Sequence, residues 1–328
     1  NAKKHVVTAN KAVIFNHGDE LFSVANKNGV KLLYESSVCA GTPIIKLLNQ
    51  ELAASKISKI SGMLNGTSNF ILSNMEEGME FEPTLKLAQE KGYAEPDPSF
   101  DIEGTDAAHK IGILSSLAFG SSLPPKDFYI EGINGIHKDD FKYAYEMGYT
   151  IKHLAIAKST NNSIDLRAHP SLVKLDSYLA NLKGVRNGIE VETDLLGTLH
   201  IAGSGAGQEA TASGVISDLI YLSDSKIREV NNINETIELI DFIDLDFQYY
   251  FYIEASDVSG VMASISTIFA DKDVSIESIS QKENLNDDLV PIIIITDPFK
   301  EKDYQELVDN LLDLDSVNKI RSIRIEPQ

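Results

Sequence analysis

The sequence predicts an α/β protein built in three parts, and three observations carry that reading. Residues 1–36 read strand, helix, strand, the unit of an open parallel sheet. Residues 37 to about 240 mix helices with strands. Residues 247–328 follow the order βαββαβ of a ferredoxin-like module. A chain of 328 residues has room for two or three domains, and 43% apolar with 24% charged residues is an ordinary globular composition.

The elements follow in order. His5–Thr8 is a short β-branched run. Asp19–Asn28 reads as a helix closed by Gly29, a good residue just past a helix end, and Val30–Tyr34 as a second strand. Pro43 opens a helix over Ile44–Leu52, because a missing N–H costs nothing in a first turn. Ile57–Leu64 is strand-like. Thr67–Glu77 and Thr84–Lys91 are helical, the second stopped by Gly92, and Thr105–Ala118 is a longer helix followed by Gly120. Ile151–Ala157 and Ile189–Glu192 are strand candidates. Leu199–Ala202 leads into Gly203-Ser-Gly-Ala-Gly207 and a helix from Gln208 to Leu222, and the polar stretch Ser223–Thr236 reads as the approach to a linker. In the last part Tyr249, Phe251, Ile253 and Ala255 alternate along a strand, while Val261, Ile265, Ile268 and Phe269 have helical spacing. Val274–Ile279 and Leu289–Thr296 are strands, Tyr304–Leu314 is a helix, and Lys319–Ile325 is a final strand.

Charge and composition exclude several functions. Acidic residues outnumber basic ones 49 to 29, a formal balance of −20, so a nucleic-acid partner, which needs a basic face, is not expected. Apolar runs such as Val290–Thr296 fall far short of the ~18 residues a membrane helix needs, so no membrane partner is expected. One cysteine, Cys39, leaves neither an intramolecular disulfide nor a multi-cysteine metal cage. No signal peptide is evident, and the cytoplasm is the expected location. The chain opens on Asn1 rather than Met, in what reads as a helix tail running into a strand, so it is expected to be a piece of a longer protein.

The most informative stretch runs from Gly92 to Lys110. Pro96 and Pro98 stiffen it, and Glu95, Asp97, Asp101 and Glu103 crowd it with carboxylates. Asp106 and Lys110 then stand four apart on one helix face; exposed, such a pair contributes roughly a few tenths of a kcal/mol. Their neighbours point elsewhere. Ile113 and Leu117 share their stripe, and Ala107, Ile111, Leu114 and Ala118 fill another, so the helix is apolar on most sides and is expected to be buried. A buried lysine must be paired, and its pKa is readily lowered towards the working pH, which suits a general acid or base.

Other stretches leave two readings open. Thr8-Ala-Asn-Lys11 lies at the carboxyl end of a strand, where ligands of open α/β sheets gather; Lys11 there meets a carboxylate or phosphate, or stays solvated. Glu35 through Pro43 is rich in small residues and lets backbone carbonyls converge on something small, or is only a tight turn; Cys39 within it reads as a packed residue. In Gly62–Asn69, Gly66 and Thr67 can open a helix onto an anion, with Asn65 and Thr67 as turn and cap residues otherwise. The glycine triplet before Gln208 lacks the full G-x-G-x-x-G spacing but suggests close backbone approach. In Asp257-Val-Ser-Gly-Val261, Asp257 can cap a helix whose start could take an amino-acid carboxylate. The histidines show no metal-ligand spacing, and no catalytic metal is expected.

Taken in order, Val7-Thr-Ala-Asn-Lys11, Gly62-Met-Leu-Asn-Gly-Thr67, Gly92-Tyr-Ala-Glu-Pro-Asp-Pro98 and Asp101-Ile-Glu-Gly-Thr-Asp-Ala-Ala-His-Lys110 resemble the homoserine dehydrogenases that carry a C-terminal ACT domain, over nearly the whole chain. The resemblance implies a partial Rossmann-type nucleotide-binding portion over 1–36, completed by about 203–240. It implies a catalytic and oligomerisation domain over 37–202 and an ACT regulatory domain over 247–328. It implies NAD(P)-dependent interconversion of L-aspartate 4-semialdehyde and L-homoserine, on the route to threonine, methionine and isoleucine. Carried over residue by residue, Lys110 exchanges the proton at the substrate oxygen and Asp106 is its partner. Glu95 holds the substrate ammonium, with Asp101 in the same cluster. Lys11, beside Thr8, touches cofactor and substrate, and Gly205 and Gly207 approach the nicotinamide end. Glu35 with the carbonyls of Val38, Ala40 and Thr42 matches a monovalent-cation site, usually sodium, although Cys39 stands where the family more often has Gly or Ala. The ACT part implies an amino-acid effector, threonine first, near Asp257, Gly260 and Val261, and the family implies a homodimer or homotetramer. One departure is large: the sequence lacks the opening Rossmann strand and G-x-G-x-x-G loop, so it is expected to be N-terminally incomplete, to bind NAD(P) weakly and to turn over little. The competing readings are a non-catalytic amino-acid sensor and a dehydrogenase of another small amino-acid aldehyde.

Overall fold

The computed structural model describes residues 3–124, 127–160, 163–223, 237–283 and 288–327. Strands β1 (Val6–Val7) and β2 (Leu32–Leu33) pair in parallel through helix α1 (Lys11–Asn28), the expected strand–helix–strand unit. The helix begins at Lys11 rather than Asp19. Asn10 is its cap, its side chain accepting from the Val13 amide, and Ile14, Phe15 and Phe22 turn into the core. Gly29 closes it in the left-handed conformation, at φ 63°.

The middle of the chain holds α2 (Ile44–Lys46, prolonged by a π-turn over Leu47–Glu51), β3 (Ile57–Met63), α3 (Gly66–Glu76), α4 (Phe81–Glu90), α5 (Ser99–Ile102) and α6 (Thr105–Phe119). There follow β4 (Tyr129–Ile130), α7 (Lys138–Glu146), β5 (Tyr149–Thr160), β6 (Ser163–Lys174), β7 (Arg186–Thr193), β8 (Gly197–Ser204) and α8 (Gln208–Ser223). Of these, α5, β4, α7 and β6 are not expected from the sequence. Strand β6 alternates Asp165, Arg167, His169 and Ser171 with apolar residues, the pattern of a half-exposed strand, yet both faces are buried. Its outer edge is shared by short partners, and Pro170 falls between the segments that pair with β4 and β14, where a missing N–H does no harm.

After β9 (Glu238–Leu239), which pairs with β6, the C-terminal module runs β10 (Asp246–Ser256), α9 (Val261–Asp271), β11 (Ile276–Gln281), β12 (Leu289–Thr296), β13 (Phe299–Lys300), α10 (Glu301–Leu312) and β14 (Val317–Ile325): the expected βαββαβ order with the two-residue β13 added before α10. Residues 224–236, most of the polar stretch read as a linker, lie outside the described residues.

The middle and C-terminal parts share one sheet. Its order is β11-β12-β10-β14-β6-β5-β3-β7-β8, joined where β14 pairs in parallel with β6 at Arg324–Ser171 and Ile325–Leu172. One face of the β10–β12–β14 strands packs on α9 and α10 through Phe251, Ile265 and Ile294. The other packs on α3 and α7 through Phe70, Phe141, Tyr250 and Ile293. Burial on both faces explains why Val290–Ile295 is continuously apolar rather than alternating.

Buried ion pairs cross the same junction. Arg321 grips Asp140 of α7 at 2.8–3.0 Å, and Arg324, held by Glu301 of its own module at 2.6 Å, reaches the partly exposed Glu131 of the middle part at 2.7 Å. Glu326 joins Arg167 at 2.7 Å to Lys59 at 2.9 Å. With a shared core, the middle and C-terminal parts should unfold in urea as one transition. Arg321→Ala, which strands the buried Asp140 carboxylate, should cost about 3 kcal/mol, and adding Asp140→Ala should return part of it. Two separate transitions would overturn the shared core.

Candidate active site

The site forms where β3 runs into α3 opposite the start of α6. Asn65 caps α3, its side-chain oxygen accepting from the Ser68 amide at 2.7 Å. Gly104 starts α6 at φ 87°, where a Cβ would also crowd the Glu131 carbonyl and the His153 ring; this glycine is required. The first two turns of α6 then direct Asp106 and Lys110 inwards. Both are buried as the sequence predicts, Asp106 at 3% and Lys110 at 7% exposure.

Lys110 Nζ donates to Asp106 Oδ2 at 2.7 Å and to the Leu64 carbonyl at 2.6 Å. The other carboxylate oxygen, Oδ1, lies 2.7 Å from Lys11 Nζ. Lys11 thus meets a carboxylate: it opens α1 just past β1, pairs with Asp106 with its own side chain 30% exposed, and lies 5.0 Å from the Phe100 ring centre. Asn65 Nδ2 donates to Asp106 Oδ2 and Asp101 Oδ1, both at 2.7 Å.

These contacts decide the charges. Burial pushes Asp106 up, but Lys110 and Lys11 outweigh it and hold its pKa at about 2. Burial pulls Lys110 down, but Asp106 outweighs it, and the net shift is upward. This corrects the expected lowering: the paired carboxylate wins over desolvation, and Lys110 is a cation at neutral pH. Asp101 is raised, chiefly by burial, with the Asn65 hydrogen bond opposing and the Asp106 charge adding.

A cleft of about 550 Å³ gathers the predicted residues: Lys11, Glu95, Asp101, Asp106 and Lys110 line it, with Gly205 and Gly207. Glu95 is exposed within it, and Thr67, Tyr93 and Ser204 also line it. Gly205 is pressed against Asn187, where a Cβ would fall 2.2 Å from the side chain, and Gly207 sits at φ 111° with open space above it. Loop 203–207 therefore offers backbone, free of side chains at two positions, to whatever lies in the cleft.

Several expected residues lie elsewhere. Thr8 does not line the cleft; its hydroxyl accepts from the Asn10 amide and shapes the turn before α1. The Glu35 carboxylate is turned into the start of α2, accepting from the Ile45 amide at 2.9 Å and the Lys46 amide at 3.0 Å, and burial lifts its pKa to about 7 against those bonds. Between Val38 and Thr42, Cys39 and Ala40 both have positive φ, at 53° and 37°. The Thr42 hydroxyl is buried, with no hydrogen-bond partner among the described residues. The helix next to Asp257 is capped by Gly260 at φ 96° without any side-chain cap; Asp257 instead accepts from Gln281 Nε2 at 3.3 Å, so the expected cap is not formed.

One participant escaped the sequence reading. Asn187 is fully buried on β7, and its amide donates at 2.9 Å to the same Leu64 carbonyl that receives Lys110. The strand was expected to start at Ile189, which left Asn187 in a loop; an asparagine next to Arg186 and Gly188 carries no strand signal.

A βα unit beside a glycine loop, a cleft lined by a buried lysine–aspartate pair and a βαββαβ module make this a mixed α/β protein with a ferredoxin-like C-terminal module. Comparison with known proteins makes this specific. Residues 43–220 match the homoserine dehydrogenase family, and residues 249–315 match the ACT domain. The chain is 42% identical to the homoserine dehydrogenase of Pseudomonas aeruginosa and 40% to that of Neisseria gonorrhoeae, in each case over 98% of this chain and 77% of the relative. A crystal structure of a homoserine dehydrogenase from Thiobacillus denitrificans superposes with a TM-score of 0.90 at 40% identity, over 98% of this chain and 76% of that one. A hyperthermophilic archaeal homoserine dehydrogenase in complex with NADPH matches 68% of this chain and 66% of its own, with a TM-score of 0.59 at 32% identity. The chain belongs to the homoserine dehydrogenase family.

The depressed pKa of Asp106 carries a stability prediction. A carboxylate whose folded pKa lies below its unfolded value stabilises the fold above that unfolded value, and the contribution is lost as pH falls through the folded pKa. From an ordinary 3.8 to about 2, this amounts to about 2 kcal/mol, lost between roughly pH 4 and pH 2. Asp106→Asn should flatten the pH dependence of urea unfolding in that window. A slope identical to that of the parent would remove the double ion pair.

Proposed function

We propose that the cleft converts L-aspartate 4-semialdehyde to L-homoserine and back, with Lys110 passing the proton at the substrate oxygen. One observation carries this reading: Lys110 Nζ donates to Asp106 and the Leu64 carbonyl, at 2.7 and 2.6 Å, which leaves one of its three N–H groups unused by them, and Lys110 lines the cleft. Glu95 and Asp101 meet the substrate ammonium, and Lys11 meets its carboxylate or the cofactor. As negative charge grows on the carbonyl oxygen, the Lys110 cation stabilises it and gives up a proton, a contribution of about 10²–10⁴ in rate. In the reverse direction the neutral amine takes the alcohol proton. Asp106 does not titrate in either step; it keeps the ammonium aimed and charged.

The residues of loop 203–207 fit a dinucleotide. Gly205 leaves no room for a side chain beside Asn187, and Gly207 leaves the wall open, so backbone can lie close to a flat ring. Bound there, NAD(P) supplies the hydride for reduction and accepts it in oxidation.

We infer four further assignments. Residues 1–36 with α8 form part of the nucleotide-binding unit; the Glu35 amide donating to Asp218 and the Ser36 hydroxyl donating to the Thr211 carbonyl support this. The turn from Val38 to Thr42, with Glu35 behind it, holds a monovalent cation such as sodium; two consecutive positive-φ residues and the unpartnered Thr42 hydroxyl support it. The ACT module takes threonine near Asp257, Gly260 and Val261, where α9 starts without a side-chain cap. The enzyme works in the cytoplasm as a homodimer or homotetramer.

In the full-length protein, Lys110→Ala should lower kcat by about 10²–10⁴ with an unchanged circular-dichroism spectrum. Because the Lys110 pKa is raised, reduction should hold its rate through neutral pH and fail only in alkali, while oxidation should climb with pH. A near-parental rate in the variant would remove Lys110 from the chemistry. Calorimetry with threonine should give heat at millimolar concentration that Gly260→Asp abolishes; absence of heat for the parent would remove threonine as effector.

A further inference from the structure

We propose that Asn65 is a positioning residue for this reaction, its side-chain amide clamping the Asp101 and Asp106 carboxylates into one unit that aims Lys110 and presents Asp101 to the substrate. The proposal rests on the reading of Lys110 and Asp101 given above and adds the residue that joins them.

Asn65 is 5% exposed, and its side chain is used at both ends. One N–H of Nδ2 goes to Asp101 Oδ1 and the other to Asp106 Oδ2, each at 2.7 Å, while Oδ1 accepts from the Ser68 amide. Asp106 is buried and Asp101 half-buried; carboxylates this close repel, and without a donor between them one would hold a proton. A lysine there could supply the donor but would compete with Lys11 and Lys110 for Asp106. A neutral amide with two protons in a fixed plane satisfies both carboxylates and leaves the charge balance alone. The oxygen of Asp106 that Asn65 holds is the one that receives Lys110.

The backbone adds a second link. Asn65 is extended, at φ −116° and ψ 116°, as the cap of α3 requires. Leu64, the residue before it, offers its carbonyl to Lys110 at 2.6 Å, with Asn187 on the same oxygen at 2.9 Å. Capping the helix and anchoring the lysine are therefore one local conformation. The charged groups facing Asp101 are Asp106 and Lys110 of α6; Lys11 of α1 joins through Asp106, and Glu95 lies in the same cleft. The Thr67 hydroxyl and the Asn65 amide both favour the ionised form of Asp101.

The test separates capping from clamping. Asn65→Ser keeps an oxygen at the cap of α3 but withdraws the amide from both carboxylates. It should fold and melt close to the parent, yet lose about 10- to 100-fold in kcat/KM for aspartate semialdehyde reduction. The acidic limb of its kcat/KM profile should move to higher pH, because Asp101 holds its proton longer without the amide. A parental kcat/KM with an unmoved limb would overturn the proposal and leave Asn65 a plain cap. Should Asn65→Ser fail to fold, the same readouts are taken on Asn65→Gly, which costs little at a helix cap and equally removes the amide from both carboxylates. Lys110→Ala is measured alongside. If it is impaired while the Asn65 variant is parental, only the present inference falls; if it keeps a parental rate, the reading of the site falls and the role of Asn65 with it.

Discussion

A single carboxylate organises this molecule. Asp106 is withdrawn from water, and an ion in that position costs several kcal/mol unless it is paired and hydrogen-bonded. Lys110 comes from one turn along the same helix, Lys11 from the first residue of α1, and an amide from the cap of α3. Three separate segments are thereby tied to one point. Withdrawing any one partner exposes the others to an uncompensated charge, which explains why the cluster is built from bonds of 2.7 Å rather than loose surface pairs.

The same helix is connected to the far end of the chain. Arg324 of β14 holds Glu131, and the carbonyl of Glu131 lies 2.9 Å from His153 Nε2, whose ring abuts Gly104 at the start of α6. A change in the C-terminal module that moved β14 would move β6, its neighbour in the shared sheet, and the residues just before Asp106. An effector can shift an equilibrium only through differential contacts between two arrangements. A continuous sheet with charged crosslinks supplies a rigid body through which such a difference is felt; a flexible tether would not.

How much of this could be read from the sequence divides along physical lines. The βαββαβ order and the helix carrying Asp106 and Lys110 follow from local periodicity and spacing and stand in the structure; of the four carboxylates before that helix, Glu95 and Asp101 line the cleft, while Asp97 holds Ser99 instead. What failed depends on partners distant in sequence. Strand β6 hides because its polar row is buried against Glu326 and its neighbours, and an alternating pattern normally signals water on one side. The true start of α1 hides because a Thr-Ala-Asn-Lys turn reads as a strand end until the Val13 amide is seen to need a cap. The direction of the Lys110 shift was misjudged because burial alone lowers a lysine pKa, and only the second lysine and the amide show how strongly Asp106 is held ionised.

That sign has a consequence for the direction of the chemistry. On the proposed reading, a lysine kept charged is poised to give a proton as a carbonyl oxygen becomes an alkoxide. Lowering the lysine pKa by desolvation alone would have favoured the opposite step, but it would also have left Asp106 with one cation fewer, and a buried carboxylate with a single partner begins to hold its own proton. The double pairing avoids both outcomes. It fixes Asp106 as an anion over the whole working range, and through it fixes Lys110 as a cation and Lys11 at the mouth of α1. On the proposed reading, the number of cations that share one carboxylate sets the pH at which Lys110 gives up or takes its proton, in both directions of the reaction.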